Sequence, residues 1–93
     1  MIIGSVTCEC MLYNAQSLKD KRSVIKSIIT RVKNRLNVAC AEIGHQDVWQ
    51  RTELIFVSVA TSKIPVEKEL ERALRILDGN AEIERASTRY EWL

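Results

Sequence analysis

The sequence predicts an α+β sandwich built in the order β-α-β-β-α-β. Two observations carry this. The hydrophobic period changes from 2 to about 3.6 and back again twice along the chain, and two strand-like runs in the middle are separated only by a short polar segment. A third limits the architecture: with 93 residues and no linker, repeat or low-complexity stretch, the chain encloses one core. Residues 1–93 are therefore expected to form a single domain.

Each element follows in turn. Ile2 to Tyr13 alternates, with Val6, Cys8, Cys10 and Leu12 on one face and Thr7, Glu9 and Met11 on the other, as in a half-buried strand. "NAQS", Asn14 to Ser17, is a turn in which Ser17 is placed to cap a helix and Asp20 completes an imperfect capping box. Leu18, Ile25, Ile28, Ile29, Val32 and Leu36 then form an apolar stripe on a helix about five turns long, and Asn37 suits its exit. Val38 to Ile43 reads as a short strand, and Thr52 to Thr61 as a longer one rich in β-branched residues. "GHQDVWQRTEL", Gly44 to Leu54, connects them as a hairpin junction.

A second helix takes Pro65 in its first turn, turns Val66, Leu70, Ala73, Leu74 and Leu77 inward, and closes at Gly79. Glu82 to Trp92 alternates as the last strand. Two crossovers joined by a hairpin make a ferredoxin-like sandwich, four antiparallel strands with both helices on one face. The other face then has no covering layer. Leu54 and Phe56, on the opposite side of their strand from Ile55, Val57 and Val59, are expected there with Met11. Self-association into a homodimer would cover them, with Tyr90 and Trp92 joining from the last strand.

Composition narrows the class. A hydrophobic share of 46% and a charged share of 28% suit an ordinary globular domain. The odd number of cysteines, 3, lies within apolar runs. Cys8 and Cys10 share a strand face about 7 Å apart, too far for a normal disulfide, so all are expected to be reduced, as in a cytoplasmic protein. The N-terminal "MIIGSVTCEC" has no basic n-region and reaches Glu9 too early for a signal peptide. No apolar run approaches a membrane span, and no membrane partner is expected.

The net charge of +2 conceals an uneven distribution. Ser17 to Asn37 holds seven bases and one acid, a local charge of +6, against −4 for the remainder. At 100° per residue, Lys19, Arg22, Lys26 and Lys33 fall within an arc of about 60°, with Lys21, Arg31 and Arg35 assigned to the other flank. Ion pairing along the helix does not explain so many bases with so few acids. Either the face is solvated or meets a partner protein, or it contacts nucleic acid or another polyanion. On the second reading Lys19, Lys21, Arg22, Lys26 and Lys33 contact RNA phosphates.

The hairpin segment collects His45, Gln46, Asp47, Trp49, Gln50 and Arg51. Glu42, His45 and Asp47 lack the paired spacing of a metal site, and no Ser or Cys stands nearby for His45 to activate. Two readings stay open: a hairpin whose Trp49 packs and whose polar groups tie down backbone amides, or a loop that recognises RNA or protein. Base stacking on the open sheet is disfavoured, because Phe56 would act alone beside the carboxylate of Glu9. No cofactor is expected.

"SLKDKRSVI", "HQDVWQRTEL", "EKELERAL" and the terminal "YEWL" together resemble the bacterial YlxP-like family, from Met1 to Leu93. The resemblance implies the ferredoxin-like fold and supplies no catalytic residues, since the family is classed as a domain of unknown function. Its genes lie in many bacteria near those of a translation initiation factor and a ribosome-binding factor, which implies a setting in translation or ribosome maturation. The expectation is thus a non-enzymatic protein that contacts RNA or a ribosomal particle through its basic helix. A protein-interaction module acting through sheet and hairpin is the alternative. An acylphosphatase-like enzyme is remote, because Tyr13 to Lys19 contains neither the Gly nor the Arg of that phosphate loop.

Overall fold

The alternating and helical stretches become six elements in the computed structural model, which describes residues 1–93. They are β1 (Ile2–Met11), α1 (Leu18–Arg35), β2 (Ala39–Gly44), β3 (Arg51–Ala60), α2 (Lys63–Asp78) and β4 (Glu84–Trp92). The strands form one sheet in the order β2-β3-β1-β4, every neighbouring pair antiparallel. This is the expected ferredoxin-like arrangement, its element ends displaced by a residue or two.

Local chemistry sets the ends of α1. The Ser17 side chain accepts from the Asp20 backbone N–H at 3.1 Å, while the Asp20 carboxylate accepts from the Gln16 N–H at 3.0 Å. Two orphan donors of the entering chain are thereby satisfied. At the exit Leu36 turns extended, and Asn37 leaves the helix by donating its backbone N–H to Glu69 and its side-chain amide to the Val59 carbonyl.

The core lies between the helices and one sheet face. α1 contributes Ile25, Ile28 and Val32; α2 contributes Val66, Leu70, Ala73, Leu74 and Leu77. Val6, Cys8 and Cys10 of β1 meet them from below.

One expectation fails here. Leu54 and Phe56 are buried in this core and are not on the open face. The register explains why: Cys8 pairs with Leu54 and Val6 with Phe56, and directly paired residues share a face. Ile55, Val57 and Val59 point to the open side instead, with Met11, which is placed as expected. Tyr90 and Trp92 pair with Val6 and Gly4, so they too belong to the helix side.

Candidate nucleic-acid interface

Burial of the apolar stripe of α1 leaves the rest of that helix outside. Lys19, Arg22, Lys26, Arg31, Lys33 and Arg35 are exposed, and none takes part in any of the protein's ion pairs. Lys19, Arg22, Lys26 and Lys33 form the ridge that helical spacing places within about 60°. α1 packs against β2, where the charge of Lys33 acts to lower the Cys40 thiol. Burial nevertheless dominates at Cys40, as at Cys10, and pushes both thiols up to about 12; the Cys8 thiol is raised for the same reason.

Lys21 departs from the expected phosphate-binding set. It is 0% exposed, buried beneath the helix against the β2–β3 hairpin. Its Nζ donates to the carbonyl of His45 at 2.7 Å and to those of Gln46 and Arg51 at 3.3 Å each. The Glu42 carboxylate stands 3.1 Å away and also accepts from the Thr52 hydroxyl at 2.6 Å. A buried ammonium is tolerated only when paired and hydrogen-bonded, and this one has both kinds of partner. Its charge is spent inside the molecule and is not available to an external anion.

The same bonds explain much of the hairpin. His45 adopts a left-handed conformation at φ 59, uncommon for a residue with a Cβ, which turns the chain at the end of β2 and brings its carbonyl to Lys21. On the open face its Nε2 lies 2.9 Å from Glu9 Oε1, which also accepts from Arg51 at 3.0 Å. These partners hold the Glu9 carboxyl below its usual range, the hydrogen bond from His45 contributing most and outweighing burial. Glu9 Oε2 is buried with no hydrogen-bond partner in the protein, so Oε1 carries the interaction.

The remaining loop residues divide by role. Gln50 donates its side-chain amide to the carbonyls of Tyr13 and Ala15, and Gln46 donates to that of Glu42. Asp47 is exposed at the tip. Trp49 does not pack as the hairpin reading expected: it is 51% exposed. The three side chains considered as metal ligands are dispersed, Glu42 to Lys21, His45 to Glu9 and Asp47 outward. Sequence reasoning missed Tyr13, which the Gln50 bonds bring beside the hairpin, and treated Glu9 only as a repellent charge.

Elsewhere the open sheet face is apolar over Ile3, Ala39, Ala41, Ile43, Ile55, Val57 and Val59, with Ile43 and Val59 nearly half exposed. No helix is long and apolar enough to cross a membrane.

The chain is 52% identical over 91 residues to the uncharacterized protein YlxP of Bacillus subtilis (strain 168), covering 98% of this chain and 99% of that one. Among solved structures it is similar to the de novo designed protein Foldit4, at a TM-score of 0.57 and 14% identity over 100% of this chain and 97% of that chain. It is also similar to LarC2, the C-terminal domain of a cyclometallase involved in synthesis of the NPN cofactor of lactate racemase. There the TM-score is 0.50 and the identity 10%, over 100% of this chain and 55% of that chain. Likeness at such identities speaks to the fold alone. With residues 3–90 matching the family described as protein of unknown function DUF503, and the near full-length relative beside it, the chain belongs to the DUF503 family.

Proposed function

We propose that this protein binds RNA, free or within a ribosomal particle, through the exposed ridge of α1. One observation carries the reading: six bases stand exposed on a single helix without an acidic partner among the protein's ion pairs. Lys19, Arg22, Lys26 and Lys33 form the contacting edge, and Lys21 is removed from the set because it is buried. Between the two basic flanks the helix presents Ser23, Ser27, Thr30 and Asn34, all exposed and able to hydrogen-bond phosphate or ribose oxygens. No step of catalysis is assigned to these groups.

Binding of cellular RNA measured against salt tests the reading. Affinity is expected to fall with a log–log slope of about −0.7 for each phosphate neutralised. Combined Lys19, Arg22 and Lys26→Glu substitution should flatten that slope by about 2. Affinity independent of salt, or unchanged in the triple variant, would reject it.

A second reading, self-association through the open sheet face, is favoured by the apolar surface around Ile43, Ile55, Val57 and Val59. Sedimentation should then show a dimer that Val57→Asp converts to monomer. A monomeric wild-type protein at high concentration removes this reading.

A further inference from the structure

We propose that the hairpin tip and the β1–α1 loop together form a base-stacking platform for single-stranded RNA, with Trp49 and Tyr13 supplying the rings. This rests on the reading of α1 as an RNA-binding helix and adds the form of RNA that the surface takes.

Trp49 is 51% and Tyr13 63% exposed, and Val48 beside Trp49 is also exposed. Such residues at a loose tip would mean little, but the backbone beneath them is fixed. The Leu12 N–H donates to the Gln50 carbonyl at 2.9 Å, and the Gln50 side chain donates to Tyr13 and Ala15 at 3.1 and 3.2 Å. The two aromatic-bearing loops are thus joined by hydrogen bonds. From below, Lys21 grips the hairpin at His45, Gln46 and Arg51. Ring presentation on a held backbone lowers the ordering cost that a ligand must meet.

Position supplies the second argument. Lys21 lies in the first turns of α1, so the hairpin it grips stands at the end of the helix where Lys19 and Arg22 begin the basic ridge. α1 packs against β2, and the hairpin is the continuation of that strand. A strand whose phosphates track Lys33, Lys26 and Arg22 therefore arrives at the aromatic tip. Asp47 is the one acid within the loop, and Arg51 lies at its other end.

The chemistry selects the occupant. In duplex RNA the base faces are stacked inside, so exposed rings find nothing to stack upon. A single strand offers a π-face at every base and phosphates for the ridge. An apolar protein partner would leave the adjoining uncompensated bases unused.

The test uses the full chain with Trp92→Phe as background, which leaves Trp49 as the sole tryptophan. A labelled single-stranded RNA of about ten nucleotides is titrated at low and high salt beside a blunt duplex of the same sequence. Single-stranded RNA is expected to quench Trp49 fluorescence. Trp49→Ala should weaken single-strand binding by roughly fivefold to a hundredfold and leave duplex binding unchanged, Tyr13→Ala should act in the same direction, and Trp49→Phe should restore most of the affinity. Thermal melting of Trp49→Phe verifies the fold independently of the alanine variants. Equal weakening on strand and duplex, or no effect of Trp49→Ala, overturns the platform. Salt-dependent binding without preference for single strands also overturns it and leaves the α1 reading standing. No salt-dependent binding to either RNA overturns both. A Trp49 requirement seen only with RNA-free ribosomal protein assigns the tip to a protein partner and overturns the platform.

Discussion

The Lys21 ammonium lies 2.7 Å from the carbonyl oxygen of His45, joining two residues twenty-four positions apart in the chain. With Glu42 and two further carbonyls it forms a buried polar knot between α1 and the hairpin. Lys21→Met keeps the unbranched apolar stem of the side chain but leaves a carboxylate and three carbonyls short of a donor. The variant should lose about 3–5 kcal/mol of stability by urea denaturation. A loss below about 1 kcal/mol would show that water or rearrangement readily replaces the ammonium.

Glu9 gives the fold an acid-sensitive contact. Its carboxyl is held below its ordinary value of 4.5 first by the hydrogen bond from His45, with the charge of His45 and the hydrogen bond and charge of Arg51 adding to it against burial. A depressed carboxyl contributes stability that is present above the unfolded-state value and lost as pH falls through the folded-state one. Thermal melts from about pH 6 down to about pH 3 should therefore fall more steeply for the wild type than for Glu9→Gln. Parallel curves would remove Glu9 from the account, including any influence from its cross-strand neighbour Glu53.

Gly4 is required by close approach. A Cβ built there would lie 2.6 Å from Trp92 Cζ3 and 2.8 Å from Val66 Cγ1, beneath a tryptophan that also carries Lys63 Nζ at 4.9 Å from its ring centre. Gly4→Ala should cost about 1–3 kcal/mol through overpacking. Adding Trp92→Ala should recover part of that loss, so the two changes will not sum. Additive losses in the double variant would place the strain elsewhere.

Raised thiols are protonated at ordinary pH and react slowly. At pH 8 the folded protein should resist alkylation at Cys10 and Cys40, whose thiols are pushed up to about 12, and at Cys8. All three should react once denaturant opens the core. Rapid modification of the folded protein would contradict the burial described.

Much of the fold was legible because each element announces its period and its ends. Ser17 and Asp20 mark the start of α1, and the inward residues of α2 are those its spacing selects. The facing of β3 was not legible. That strand is apolar on both sides, so alternation divides Leu54 and Phe56 from Ile55 and Val57 without saying which pair faces inward; only the register with β1 decides. The burial of Lys21 has a trace in the helical spacing. At 100° per residue it falls about 20° from both Ile28 and Val32, within the apolar stripe. Its partners are mostly backbone carbonyls, which no residue pattern records. For Trp49 the sequence leaves packing and exposure both open, since a large aromatic in a turn suits either and its exposure depends on where the turn points.

The grip of Lys21 on the hairpin also sets which motions are cheap. If the loop peeled away while α1 stayed docked, it would strand an ammonium in an apolar layer, so such a fluctuation is suppressed. Amide protons at the junction, those of Leu12 and Val48 among them, should exchange with deuterium on the slow timescale of α1 and not at the fast rate of a surface turn. Helix and tip would then open as one cooperative unit.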